Sequence, residues 1–200
     1  MVKIGKVFFK DLEFEVFNEV YEPREDSYMA AEYLYSKEWS GKDVLDMGTG
    51  TGFLGIICSK KGGNVDAVDV NPGSIKNARK NAELNNAKLN VFESYLFDEI
   101  SKKYDAILFN APYLPVEKEN LSEEEKAWAG GKKGHEKIVE FLDLAPEYLK
   151  KKGVIILVFS SLSGEDTIKD KIDEKGLEST VLNEKKVEWE KLLLMKCSKF

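Results

Sequence analysis

Seven residues near the middle of the chain, Phe109-Asn110-Ala111-Pro112-Tyr113-Leu114-Pro115, join an amide, a stiff backbone and a ring. They follow an apolar run, Ala106-Ile107-Leu108, that reads as a buried strand. Asn110 brings one acceptor oxygen and two donor hydrogens. Pro112 fixes its own φ and biases Ala111 toward extended backbone, which holds the Ala111 carbonyl in one direction. The Asn110 side chain and the Ala111 carbonyl can then accept two hydrogen bonds from one planar NH2 group, with Tyr113 over its flat face. The stretch suits a planar amide or an exocyclic amine. The alternative is a strand followed by a proline turn, with Asn110 as a turn residue.

A second set of residues suits a nucleotide-type ligand. Asp43-Val44-Leu45-Asp46-Met47 reads as a strand, runs into Gly48-Thr49-Gly50-Thr51-Gly52, and leads to a helix over Phe53–Lys60. Strand, glycine-rich turn, helix is the nucleotide-binding βα unit, and its glycines let backbone approach a ligand. The next strand, Asn64–Val70, carries Asp69 near its end, with Asn71-Pro72 opening a helix over Gly73–Leu84. An acid there, about 20 residues past the first glycine, is placed to accept both ribose hydroxyls. A dinucleotide fingerprint wants a third glycine where Phe53 stands. The alternating Gly48, Gly50, Gly52 form after Asp46 resembles the S-adenosylmethionine loop of class I methyltransferases. Asp46 supplies negative charge near a cofactor with a sulfonium and an ammonium. NAD is the weaker reading.

These residues need elements to hold them. Lys3–Phe8 and Leu12–Phe17 alternate about Lys10-Asp11 and predict a β-hairpin. Tyr21-Glu22-Pro23 with Glu25-Asp26-Ser27 opens a helix, with Pro23 in its first turn and Ser27 as a cap or a ligand contact. Leu89–Phe92 and Tyr104–Phe109 are the third and fourth strands; Ser94, Tyr95 and Leu96 follow the third. Ligands in open α/β sheets bind at the carboxyl ends of strands, so Asp46, Asp69, Ser94 and Asn110 are expected at one crevice. Val116–Lys133 is long for a connection and reads as a lid or substrate surface. It holds the acidic run Glu123-Glu124-Glu125, read as a solvated helix face, and Trp128. His135, the only histidine, reads as a surface or capping residue before a helix over Glu136–Leu149. Lys150-Lys151-Lys152 complement that helix's C-terminus and Gly153 ends it. Val154–Ser160 is a fifth strand, Thr167–Glu174 a helix, and Leu177–Leu182 and Trp189–Cys197 a final strand pair. The pattern is an α/β fold with a doubly wound sheet, read as one domain over residues 1–200 with a hairpin extension over 1–20.

Composition bounds the partners. The 200 residues suit one sizeable core. The formal net charge is −6, which lacks the clustered cations that nucleic-acid backbone contacts need. Cys58 and Cys197 show neither metal-ligand spacing nor a disulfide framework and read as core thiols in a reducing cytoplasm. The start does not read as a signal peptide, and no apolar run reaches membrane length. Lysine and glutamate are plentiful and glutamine is absent, a weak thermophile signature.

The motif Asn110 to Tyr113 resembles the Asn-Pro-Pro-Tyr clamp of amino-group methyltransferases, with Ala111 for the first proline. The substitution restores an N–H and keeps the carbonyl. Taken with Tyr21-Glu22-Pro23, Glu25-Asp26-Ser27, Asp46 to Gly52, Asp69-Val70-Asn71-Pro72 and Ala127-Trp128-Ala129-Gly130-Gly131, the chain resembles the compact archaeal–eukaryal branch of the HemK/PrmC-type protein glutamine methyltransferases. The resemblance implies a class I methyltransferase fold with a Rossmann-like, seven-stranded sheet, and S-adenosylmethionine as cofactor. It places Ser27, Asp46, Gly48, Gly50, Gly52, Asp69, Ser94, Tyr95, Leu96 and Asn110 at that cofactor. The family has Asp then Leu where this chain has Tyr95 and Leu96. The resemblance assigns Asn110, Ala111, Pro112 and Tyr113 to the substrate clamp, with neither metal nor covalent nucleophile. It implies methylation of the glutamine in the Gly-Gly-Gln loop of a class I release factor. It also implies a small zinc-ribbon activator on the edge strand Leu89–Phe92, with Leu89 and Val91 in the interface. An adenine-N6 RNA or DNA methyltransferase, a protein lysine methyltransferase and an inactive cofactor-binding scaffold are the alternatives.

Overall fold

The computed structural model describes residues 3–116 and 128–199. The acidic run Glu123-Glu124-Glu125 and Ala127 fall outside them. A mixed sheet of seven strands is divided between two compact units, Met1–Ser101 with three of the strands and Lys102–Phe200 with four. Among the described residues, no helix is long and apolar enough to cross a membrane.

The first unit opens with the predicted hairpin, β1 (Lys3–Phe9) against β2 (Leu12–Phe17). Helix α1 (Glu25–Tyr35) follows; Arg24 is its N-cap, so Pro23 stands just outside the helix and Ser27 is its third residue rather than its cap. Strands β3 (Asp43–Met47), β4 (Asn64–Asp69) and β5 (Leu89–Glu93) pair in parallel, joined by α2 (Phe53–Lys60) and α3 (Pro72–Leu84). Asn71 caps α3 as its sequence suggests, its side chain accepting from Gly73 N at 2.7 Å. The hairpin is fastened in two ways. Phe9, Phe14 and Tyr28 surround Phe53 with centroids 4.7–5.8 Å away. In addition, Asn77, Asn81 and Asn85, four residues apart on α3, accept from the backbone N–H groups of Phe17, Glu15 and Glu13 at 2.8, 2.8 and 3.1 Å. Their amide groups donate back to the carbonyls of Glu15 and Glu13. A helix face thus stands in for a third strand.

The second unit contains β6 (Tyr104–Asn110) and a short parallel pair, β7 (Leu114–Pro115) with β8 (Ala129–Gly131). Helix α4 (Glu136–Leu144), β9 (Leu149–Ser160), α5 (Glu165–Glu174), β10 (Leu177–Val187) and β11 (Glu190–Lys199) complete it. Strand β9 runs parallel to β6 and antiparallel to β11. Four expectations change. Helix α4 ends at Leu144, because Pro146 lacks the N–H a continuing helix needs, and a 3-10 turn over Ala145–Tyr148 replaces it. Lys150-Lys151-Lys152 lie on β9, where the register with β6 shifts, and Lys150 pairs with Asp105 at 2.7 Å. Gly153 belongs to the same strand; a β-carbon there would meet the Tyr104 carbonyl at 2.7 Å. Trp189 is the tip of the β10–β11 turn, 91% exposed, rather than a strand residue.

Candidate active site

In the first unit the carboxyl ends of β3, β4 and β5 lie side by side. Thr49 N donates to Val68 O at 2.9 Å and Ser94 N to Asp69 O at 3.1 Å. These bonds set the turn after β3 beside the end of β4, and the end of β4 beside the turn after β5. Gly48, Gly50 and Gly52 all have positive φ, between 53° and 81°, which explains the alternation: each turn residue with a side chain is separated by one without.

Asp46 sits beneath this turn and is 2% exposed. Its Oδ2 accepts from the Thr49 hydroxyl at 2.6 Å and from Gly55 N at 2.9 Å. Burial pushes its carboxyl up to about 6; those two hydrogen bonds oppose the shift and the charge of Asp69 adds to it. The side chain is thus a strut for the turn as well as a source of charge. Gly55 is the residue that sequence reasoning missed. A β-carbon there would stand 2.9 Å from Asp46 Oδ2. A glycine inside a helix costs about 1 kcal/mol relative to alanine, and that misfit was the available signal.

Asp69 is half-buried at the end of β4, with Oδ2 accepting from Gly50 N and Oδ1 from Asn71 N, both at 2.9 Å. Burial raises its pKa; the hydrogen bonds from Asn71, Gly50 and Ser74 work the other way. Val70 N–H also bonds this carboxylate, so four donors from the protein hold it in place. A β-carbon on Gly50 would meet nothing within 4 Å.

Ser27 is buried beside Asp26, with its N–H 2.6 Å and its hydroxyl 3.2 Å from Asp26 Oδ1. The Tyr21 hydroxyl donates to the other Asp26 oxygen at 3.1 Å. The Tyr-Glu-Pro segment therefore fixes the turn that presents Ser27. Past β5, the Ser94 hydroxyl donates to Leu96 O at 2.9 Å and accepts from Glu99 N at 3.2 Å. It closes a turn in which Leu96 has φ 42°. The hydroxyl is spent on that turn, which leaves Tyr95, 40% exposed, as the accessible side chain.

In the second unit Asn110 is the last residue of β6. Ala111 N donates to Val158 O at 3.2 Å, so the strand's pairing with β9 continues one residue into the clamp. Beyond it, Leu114 N donates to Trp128 O at 2.9 Å and Val116 N to Gly131 O at 2.8 Å. Trp128 therefore holds the Leu114 backbone through its own carbonyl, and its side chain is half-buried. His135 is the N-cap residue of α4 without a side-chain cap bond; its Nδ1 lies 2.9 Å from Ser163 O.

In the first unit, a glycine-rich turn over a buried acid, with a second acid one strand away, has the form of a nucleotide-type site. The family model for the methyltransferase small domain matches residues 27–186. A Methanocaldococcus jannaschii protein provisionally named protein N5-glutamine methyltransferase is 42% identical over 185 residues, 88% of this chain and 90% of that protein. The release factor glutamine methyltransferase of Geobacter sulfurreducens is 30% identical over 164 residues, 77% of this chain and 58% of that protein. Among solved structures, the E. cuniculi Mtq2–Trm112 complex, responsible for methylation of the eRF1 termination factor, matches with a TM-score of 0.73 at 24% identity. That match spans 91% of this chain and 99% of the other and is a likeness of fold. The chain belongs to the methyltransferase small domain family and, within it, to the protein N5-glutamine methyltransferases.

Proposed function

We propose that the protein methylates the side-chain amide nitrogen of the glutamine in the Gly-Gly-Gln loop of a class I release factor, with S-adenosylmethionine as donor. The residues fit that donor. Asp69 stands at the end of β4 where a ribose diol would exchange for some of its present donors, the space over Gly50 is open, and Asp46 and Ser27 are fixed in place by their own hydrogen bonds. When bound, the cofactor supplies a methyl group on a sulfonium leaving group. The turn after β5, with Tyr95 and Leu96, would meet the adenine.

An amide nitrogen is a weak nucleophile because its lone pair is delocalised. Asn110 Oδ1 and the Ala111 carbonyl would accept its two N–H bonds, polarise it and aim it, while Tyr113 covers its plane. As the new N–C bond forms, the nitrogen gives up one proton to water. Holding donor and acceptor in near-attack geometry supplies much of such a rate. The observation that carries this reading is the fixed backbone at the end of β6, where Ala111 N is tied to Val158 O and Pro112 sets the next residue.

The reading includes a small zinc-ribbon partner that adds a strand at β5, the end of the sheet. A groove of about 900 Å³ lies along that strand, lined by Arg79, Leu89, Asn90 and Val91 among others. Val91 is buried against Ala67, Ile75 and Ala78, and Leu89 packs partly against the same cluster, so the strand's backbone and the remaining Leu89 surface would meet a partner. A cytoplasmic site of action fits the two cysteines, both free and buried, with burial pushing the Cys197 thiol up to about 12.

The test is radiolabelled methyl transfer, with and without the zinc-ribbon protein, to a release factor and to its Gln→Ala loop mutant. Label on the wild-type factor alone, lost with Asn110→Ala, is expected. Label on bulk RNA or DNA, or on the Gln→Ala factor, would overturn the reading.

A further inference from the structure

The residues read as the clamp are held partly by the Trp128–Gly131 segment and partly by Ser163, which belongs to none of the motifs above. Around Tyr113 the backbone has two peptide planes: the one before it is closely packed by Gly130, and the one after it is both packed and hydrogen-bonded. A β-carbon on Gly130 would lie 2.7 Å from the Pro112 carbonyl and would overlap the Gly134 carbonyl as well. One on Gly134 would lie 2.5 Å from the Tyr113 carbonyl. The Ser163 hydroxyl donates to that same Tyr113 carbonyl at 2.9 Å, and Leu114 N, in the same plane, donates to Trp128 O. Because a peptide unit is planar, fixing the planes on both sides of a residue fixes its φ and ψ and hence the direction of its Cα–Cβ bond. Ser163 is fully buried, in the turn that follows β9, and its own carbonyl faces His135 Nδ1 at 2.9 Å.

We infer that Ser163, backed by His135, is a positioning residue that sets the Tyr113 ring over the substrate amide. The inference rests on the reading of Asn110–Tyr113 as the substrate clamp. Ser163 touches no substrate. It acts through the Tyr113 carbonyl. An ordinary buried serine caps a turn, and Ser160 does that here, accepting from Leu162 N at 3.1 Å. Ser163 instead reaches back 50 residues to the clamp. Misplacing a reacting group by about 1 Å can cost about a hundredfold in rate, and loss of one hydroxyl tether should cost part of that.

The experiment compares wild type, Ser163→Ala, Ser163→Thr and Asn110→Ala. Methyl transfer to the release factor gives kcat and KM, calorimetry gives the Kd for S-adenosylmethionine, and carbon-13 tyrosine NMR reports the Tyr113 ring. For Ser163→Ala we expect kcat to fall about tenfold, an unchanged cofactor Kd, and a shifted or broadened Tyr113 signal. Ser163→Thr, which keeps the hydroxyl, restores both. Wild-type kcat and an unmoved Tyr113 signal in Ser163→Ala would overturn the inference while Asn110→Ala still abolished activity. Full activity in Asn110→Ala would instead overturn the clamp reading, and the NMR signal would then decide the role of Ser163 by itself. A loss of cofactor affinity in Ser163→Ala equal to the loss in kcat would mark a general structural effect and count against it.

Discussion

Asp46 shows how a single residue can serve a site at some expense to the fold. Its carboxyl is held near pKa 6 by burial, above its ordinary value of 3.8. A raised folded-state pKa means that the stabilising contribution is full below about pH 4 and is lost as pH rises through about 6. Asn at this position keeps an acceptor for Gly55 N and carries no charge. The stability of the wild type relative to Asp46→Asn should therefore fall between pH 4 and pH 7, by up to about 3 kcal/mol at 1.4 kcal/mol per unit. Urea titrations at pH 4, 5, 6 and 7 measure it, and a difference that stays flat would refute the assignment. Such residues were legible in the sequence because their types are costly anywhere else: an acid at a strand end, alternating glycines, an amide before a proline. Gly55 and Ser163 were not, because their meaning is a distance to one atom, Asp46 Oδ2 or the Tyr113 carbonyl, that spacing along the chain does not encode.

Among the elements, helix α3 does more than pack. Asn81 is fully buried and its amide spans two structures: it accepts from Glu15 N, and it donates to Glu15 O at 2.9 Å and to Thr51 O in the glycine turn at 2.8 Å. Asn71 makes a similar link, donating to Glu19 O while its own N–H holds Asp69. The hairpin is thereby joined to both halves of the proposed cofactor cradle. Asn81→Ala leaves Glu15 N and Thr51 O without the amide that joins them, while Glu15 O keeps Asn77, and should cost about 3 kcal/mol. Denaturant unfolding would show this as a lower midpoint at unchanged slope, and a loss under 1 kcal/mol would mean that water replaces the amide. Sequence periodicity found the hairpin and the helix but not their union, whose partners are backbone groups 60 to 72 residues away. The opposite error occurred at Pro146, where apolar spacing carried a predicted helix through a residue that ends it.

For the molecule as a whole, the sheet has two ends and they differ. Strand β10 is long and studded with exposed charged and polar residues, a common protection against unwanted pairing. Strand β5 is five residues long, and the Arg79 guanidinium covers the Val91 carbonyl at 2.6 Å. A partner that adds a strand must displace that guanidinium, so binding is expected to slow amide exchange over Leu89–Glu93 at least tenfold and to leave β10 unchanged. Hydrogen exchange with and without the zinc-ribbon protein would show it. Protection confined to β10 or to the hairpin would rule the β5 edge out. The order of the parallel strands was legible because βα units repeat with polar residues at their ends, whereas a sheet edge is a matter of which backbone groups remain uncovered.

The asparagine ladder works as a vernier. Four residues of helix advance about 6.0 Å and two residues of strand about 6.8 Å, so the two scales part by about 0.8 Å at each rung. Four residues also turn a helix about 40° past one full circle, which swings each successive amide away from the strand. Over three rungs, Asn77 to Asn85, the drift is still within hydrogen-bond tolerance. A fourth rung would miss. The ladder therefore has a natural length, and β2, six residues long, fills it. A one-residue slip would also turn Leu12, Phe14 and Val16 outward, so helix and core impose the same alignment.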